Sequence, residues 1–153
     1  MQEAGIWPDA ATLATIASVI AAFSVTMVFF RVQREIDMGK EGEMNWMPWA
    51  DRMLIAACSI ALVFVLLPLV ATKPVWPIYR MLPSAACAAA VVLLACYPFA
   101  LLAHYRVILA FKNGVGEGQR VNPEPGEELV VRFASAFATV AAVWTAYLHA
   151  AAA

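Results

Sequence analysis

The sequence predicts an all-α integral membrane protein, with four transmembrane helices that form an antiparallel bundle and a single domain. Hydrophobic residues make up 63% of the 153-residue chain and charged residues 14%, compared with roughly 45–50% and 25% in soluble domains. A soluble fold of this size cannot bury so much apolar surface, so part of it must face lipid. Four apolar runs also have the length of about 20 residues that a helix needs to cross a bilayer; they are 10–30, 53–72, 84–105 and 130–149.

None of these runs has a charged residue near its centre, where a charge would cost roughly 2.5–3.5 kcal/mol. We expect no Asp or Glu in any span, which disfavours a proton-coupled transporter that depends on a membrane carboxylate. Pro68 and Pro98 fall inside spans and are expected to bend them. The cysteines Cys58, Cys87 and Cys96 form no C-x-x-C pair, so we interpret them as small packing residues.

The first span is expected to insert with its N-terminus outside the cytoplasm. Residues 1–10 contain Glu3 and Asp9 but no Lys or Arg, whereas a signal peptide begins with a basic segment and has a shorter apolar core. Here the basic residues, Arg31 and Arg34, follow the apolar run. Basic residues in that position hold the following loop in the cytoplasm.

The first helix is predicted to continue beyond the membrane as a charged stalk to about Met38, with a break near Gly39. The stalk has no proline and consists of moderate or good helix formers. Its charge spacing predicts intrahelical ion pairs such as Arg31–Glu35, each worth a few tenths of a kcal/mol. The stalk either docks a partner or only keeps the loop solvated.

The chain is predicted to re-enter the membrane from a turn at residues 45–52. Asn45 is expected to be the N-cap of the second helix, and Asp51 suits the positive end of the helix dipole. Trp46 and Trp49 are expected to anchor this turn at the depth of the lipid headgroups.

The connection between spans two and three is expected to be a tight turn at the outer surface. Its prolines, including Pro83, oppose helix formation. Trp76 and Tyr79 are predicted to be further anchors at the membrane interface.

The distribution of basic residues predicts the orientation of the bundle. Eight of the ten Lys and Arg residues lie in the segments 31–52 and 106–132. This count predicts that the loops 31–52 and 106–129 are cytoplasmic and that both termini lie outside the cytoplasm of a multi-pass cell-membrane protein. The second loop is rich in glycine and proline, and Glu127 is expected in the first turn of helix four.

Two spans carry small residues at every fourth position, a pattern that lets two helices approach closely in a bilayer. Because several helices carry such faces, we expect one face to remain for contact with another chain. The helix-packing candidates are Ala134, Ala138, Ala142 and Ala146 in span four, and Ala14, Ser18 and Ala22 in span one.

We identify no catalytic set and predict no metal or cofactor site. His104 and His149 are predicted at opposite ends of the bundle, so they cannot share a metal or a haem. The candidate polar site is the cytoplasmic group His104, Tyr105 and Arg106, on the same side as the tryptophan-containing re-entry turn. The net charge of −1 argues against a nucleic-acid partner.

Three classes of function remain open. The leading hypothesis is a small membrane protein that acts through helix association, as a homo-oligomer or as an accessory subunit of a larger complex. Its expected partners are the lipid bilayer and other membrane subunits or copies of itself. The second class is an oligomeric pore lined by Thr12, Thr15 and Ser18. The third is a membrane enzyme that acts on a lipophilic substrate.

Overall fold

The computed structural model describes residues 8–37, 48–71, 78–105, 107–109 and 125–151. Four helices account for most of these residues: α1 Ala10–Asp37, α2 Trp49–Ala71, α3 Ile78–His104 and α4 Pro125–Ala151. Each contains a stretch long and apolar enough to cross a membrane, and the described ranges contain no strand. The predicted all-α fold with four membrane helices is confirmed.

Two helices begin before the apolar runs that the sequence marks. α2 starts at Trp49, ahead of the apolar run at residue 53, and α4 starts at Pro125, ahead of the run at residue 130. A first turn can carry acidic residues because the positive end of the helix dipole stabilises them. Asp51 and Glu127 lie in these first turns, ahead of the predicted spans 53–72 and 130–149, and the expected position of Glu127 in the first turn of the fourth helix is confirmed.

α1 begins with a side-chain cap and extends well past its apolar run. The backbone N–H of Thr12 donates to Asp9 Oδ1 at 2.7 Å, which satisfies one of the donors that a helix start leaves unpaired. Hydrogen bonds from the Thr12 side chain and backbone hold the pKa of the Asp9 carboxyl below its ordinary value. α1 is described as helical as far as Asp37, so the predicted helical extension beyond the apolar run is confirmed up to that residue. The glycine break and Asn45, the expected cap of α2, lie outside the described residues.

α2 contains a π-helical segment, Ala61–Leu66, between the α-helical Trp49–Ile60 and Leu67–Ala71. Pro68 follows this segment directly. A proline lacks an N–H, and its ring clashes with the carbonyl four residues earlier, here that of Phe64. A wider turn relieves this clash, and such local adjustments are how membrane helices tolerate proline. The bend expected at Pro68 therefore takes the form of a π-helical segment.

α3 contains Pro83 and Pro98 within one continuous helix. The expectation that Pro83 opposes helix formation is wrong, because α3 begins five residues before it, at Ile78. So close to the helix start, the missing N–H removes a single backbone hydrogen bond. The Pro83 ring is fully buried, so its packing compensates for that loss.

α3 contacts all three other helices, as α2 also does, and makes the most extensive contact of any helix pair. Its most extensive contact is with α4, while α1 and α2 pack against α3 and against each other. α4 contacts α2 over a smaller area. Small side chains allow the backbones to approach closely and gain van der Waals contact. The fully buried core positions include Ala17, Ala57, Ala61, Ala90 and Ala100.

α4 directs a face of small side chains into the bundle and a face of large apolar side chains outward. Ala134 and Ala138 are buried, whereas Ala142 and Ala146 are half-buried. Because the main contacts of α4 are with α3, the alanine ladder packs within this chain. The exposed face of α4 includes Phe133, Phe137, Val140, Val143, Trp144 and Tyr147.

Candidate functional site

Polar side chains from all four helices meet at one end of the bundle. The antiparallel arrangement brings the C-terminal parts of α1 and α3 beside the first turns of α2 and α4. The ion pairs and hydrogen bonds between these helices form a group that we call the polar cluster. It consists of Arg31, Arg34, Asp51, Tyr97, His104, Tyr105 and Glu127.

Glu127, in the first turn of α4, is the most deeply buried charged residue of the cluster, with no exposed surface. Its Oε1 accepts a hydrogen bond of 2.6 Å from the backbone N–H of Ala50, and its Oε2 lies 3.1 Å from His104 Nδ1. The N-cap residue of α2 is Pro48, which offers no side-chain cap. The carboxylate of Glu127 therefore caps α2 from another helix, and it satisfies a donor that would otherwise be buried without a partner.

Arg31 and Asp51 form an ion pair between α1 and α2. The distance from Arg31 Nε to Asp51 Oδ1 is 2.7 Å, and each side chain is 13% exposed. Arg31 therefore has a partner on a different helix, while Glu35, its predicted intrahelical partner, is described only as part of the α1 backbone. Tyr97 of α3, which is almost fully buried, lies close enough to interact electrostatically with Arg31.

Arg34 and Tyr105 connect α1 to the end of α3. The Arg34 guanidinium donates to the Tyr105 hydroxyl and lies 5.4 Å from the centre of the ring. The His104 ring meets the Tyr105 ring edge to face at 5.1 Å. The position of Tyr105 therefore depends on Arg34 of α1 and on His104, the residue that contacts Glu127.

These contacts form a closed ring around the end of the bundle. Arg31 joins α1 to α2, Glu127 joins α2 to α4 and α4 to α3 through His104, and Arg34 joins the end of α3 back to α1. An unpaired charge removed from water would cost several kcal/mol, whereas paired and hydrogen-bonded charges are tolerated. The arrangement can therefore hold four helix ends in one relative position.

The sequence identified part of this cluster. His104 and Tyr105 lie in it, and Trp49 is half-buried at the same end with the Arg52 guanidinium 4.7 Å from its ring centre. Arg106, Trp46 and Trp76 lie outside the described residues, and Tyr79 is described only as part of the α3 backbone. His149 lies near the C-terminal end of α4, far along the helix from Glu127.

The sequence did not identify the roles of Arg31, Asp51, Tyr97 and Glu127. The sequence pattern relates Asp51 and Glu127 only to the dipoles of their own helices, although each also has a partner on another helix. The signal in the sequence is that opposite charges flank the adjoining ends of helices that must lie side by side. In the described part of the chain, no group of three or more His, Cys, Asp or Glu side chains is placed to hold a metal ion.

A second surface of interest is the side of α1 that faces away from the bundle. Ala11, Thr15, Ser18 and Ala22 are all exposed there, and we call this set the outer α1 face. Their spacing of three or four residues places them on one stripe of the helix. Ala14, at the edge of the stripe, is half-buried.

Two hydroxyl groups on the exposed part of α1 bond to the helix itself. Thr15 Oγ1 donates to the Ala11 carbonyl at 2.9 Å, and Thr26 Oγ1 donates to the Ala22 carbonyl at 2.8 Å. These side chains can therefore face an apolar environment without an unsatisfied hydroxyl donor.

No protein-family model matches the chain, and neither the characterised proteins nor the solved structures include a detectable relative. Proposals about function therefore depend on the geometry of the polar cluster and of the outer α1 face.

We expect Glu127→Ala to lower the free energy of unfolding by about 1–3 kcal/mol, because the Ala50 N–H and His104 would lose a buried partner. The matched control is Glu128→Ala. Its carboxylate is 20% exposed and pairs with Arg132, whose side chain is 73% exposed, so the loss should be smaller than for the fully buried Glu127. Reversible unfolding in detergent micelles, followed by circular dichroism, measures both values. Equal losses for the two variants would show that Glu127 is not a specific cap.

Proposed function

We propose that the protein acts through helix association in the membrane, with the outer α1 face as its contact surface. The observation that supports this proposal is that Ala11, Thr15, Ser18 and Ala22 are exposed together on one side of a membrane helix. The partner is a second copy of the chain or another membrane subunit, for which this protein would be an accessory subunit.

The physical basis is the way helices associate in lipid. A bilayer provides no hydrophobic force between helices, so association depends on close backbone approach, which small side chains permit. The exposed side of α4 carries large groups such as Phe137 and Trp144, which suit contact with lipid tails and the interface. The outer α1 face has the opposite character, and the alanine ladder of α4 is already occupied by α3.

The polar cluster supports this function by fixing α1 on the bundle. Arg31 and Arg34 attach the C-terminal part of α1 to α2 and to the end of α3. A helix held at its end presents its outer face in one orientation. We therefore assign the polar cluster a structural role in association, with no reacting group.

A pore is the competing proposal, with Thr12, Thr15 and Ser18 around an oligomer axis. All three residues are exposed. The Thr15 hydroxyl donates to its own helix, which leaves its oxygen able to accept. Association is favoured over the pore because the small side chains of the outer α1 face permit close packing. A membrane enzyme acting on a lipophilic substrate is a third class, for which the described residues supply no reacting group that we can assign.

We expect Ser18→Leu and Ala22→Leu to shift the assembly in a mild detergent towards the mass of a single chain, because the larger side chains block close approach. Light scattering coupled to size-exclusion chromatography measures this mass. Val19→Leu is the matched control. Val19 is 60% exposed on the same helix but lies about 100° round the axis from Ser18. The mass of the Val19→Leu assembly should therefore equal that of the wild type.

A wild-type mass of one chain would contradict self-association, and an unchanged mass in both leucine variants would exclude the outer α1 face as the contact. Ion conductance in proteoliposomes that disappears in the Thr15→Val variant would favour the pore.

We also propose that both termini lie outside the cytoplasm and that the polar cluster faces it. The support is the excess of Lys and Arg in the two loops at that end of the bundle. A membrane-impermeant thiol reagent applied to intact cells should label a cysteine introduced at Gln2 but not one at Gly116. The reverse labelling pattern would overturn this orientation.

A further inference from the structure

The outer α1 face is part of a longer stripe that runs along nearly the whole of α1. The residues of this stripe recur at alternating intervals of four and three positions, which is the spacing of a heptad repeat over four heptads. All eight are exposed, and we call this set the α1 seam: Ala11, Thr15, Ser18, Ala22, Val25, Phe29, Val32 and Ile36.

The α1 seam has two halves of different character. The first half is the outer α1 face, whose side chains are small. The second half, from Val25 onward, carries large apolar side chains, of which Phe29 is 71% and Ile36 59% exposed. Small side chains allow two helix backbones to approach closely, and large apolar side chains gain van der Waals contact when a second helix covers them. Both halves of the seam therefore suit contact with another helix.

Lipid does not cover the whole of the α1 seam. The last seven residues of α1 contain four charged residues, which are Arg31, Arg34, Glu35 and Asp37. Charges at this density place the end of α1 at or beyond the membrane edge. Ile36 lies about 9 Å along the helix axis past Phe30, where the apolar run ends, so acyl chains do not reach it. Because Val32 and Ile36 continue the repeat of the membrane part, their exposure indicates a protein partner for the seam.

The charge pattern of α1 fits a second copy of the same helix. In a symmetric contact each residue meets its counterpart, so a charge on the seam would face a like charge, and the seam contains none. Arg31 pairs instead with Asp51 of α2, and the Arg34 guanidinium donates to Tyr105 of α3. Two copies in one membrane have the same orientation, so their α1 helices pair in parallel. Small residues then lie opposite small ones and large residues opposite large ones.

We propose that the partner of the α1 seam is a second copy of the chain, and that the two α1 helices form a parallel coiled coil from Ala11 to Ile36. This inference deepens the proposed association and rests on it, because the outer α1 face is the first half of the seam. A repeat of seven residues keeps the seam at the contact only if the two helices wind around each other with a left-handed twist. The coiled coil thus continues from the membrane into the charged end of α1.

The test is disulfide cross-linking of the full chain in membranes, after its own cysteines, Cys58, Cys87 and Cys96, have been replaced by alanine. Single cysteines in the variants Phe29→Cys and Ile36→Cys should form a covalent two-chain product on mild oxidation, because equivalent seam positions of a parallel pair lie close enough for a disulfide. The matched controls are Phe30→Cys and Asp37→Cys. Each is exposed but lies about 100° round the axis from its neighbour on the seam, so the two-chain product should be absent.

Equal cross-linking at Phe29 and Phe30 would overturn the proposal, because the copies would then meet without a fixed register. Cross-linking at Phe29 but not at Ile36 would overturn the continuation beyond the membrane. A product with a different protein, and none with two chains, would assign the seam to another subunit. Absence of any product, while Ser18→Leu still lowers the mass of the assembly in detergent, would overturn the coiled coil and leave the proposed association standing.

A charge placed on the seam outside the membrane tests the same proposal without a change in the apolar run. Ile36→Glu brings two like charges together in the pair, so the assembly mass in a mild detergent should shift towards that of a single chain. Gln33→Glu makes the same addition of charge at an exposed position about 100° round the axis from Val32, and the mass should stay that of the wild type. Equal masses for the two variants would contradict a seam that reaches Ile36.

Discussion

The structure depends on one constraint: at the membrane edge, every buried backbone donor and every charge needs a partner from the protein. α2 begins after a proline that provides no side-chain cap, and the carboxylate of Glu127 supplies the missing acceptor from α4. The same carboxylate binds His104. One buried side chain therefore fixes the positions of three helices, and the pairs of Arg31 with Asp51 and of Arg34 with Tyr105 add the fourth.

The apolar part of the bundle follows from this arrangement and from the size of its side chains. α3 lies at the centre, and fully buried alanines such as Ala90 and Ala100 let its neighbours approach closely. Packing of this kind has little directional preference, because alanine faces can slide or rotate past one another. The ion pairs and the Glu127 cap do have directions, so they determine which residues of α1 face inward and which form the outer α1 face.

The sequence predicts the fold well because the length of helix needed to cross the bilayer and the hydropathy of that helix are properties of each segment by itself. The four spans and the helical extension of α1 beyond residue 30 could be predicted from the order of residues alone. The partners of Arg31 and Glu127 could not, since they depend on the rotation of one helix relative to another, which the local pattern does not encode. Pro83 was misinterpreted for a related reason, because burial of its ring against neighbouring helices offsets a local preference. Similarly, both small faces are visible in the sequence, but only the packing shows that α4 uses its ladder inside the chain and that α1 leaves Ser18 and Ala22 exposed.

The most direct test of the ring of polar contacts is a double-mutant cycle on Arg31 and Asp51, measured as the free energy of unfolding in detergent micelles. Arg31→Met and Asp51→Asn should each destabilise the protein strongly, because each leaves one charge without its ion-pair partner at a largely buried site. The double variant removes both charges, so it should lose less than the sum of the single losses, with a coupling of about 1–3 kcal/mol. Additive losses, with a coupling near zero, would contradict the claim that this ion pair holds α1 to the bundle.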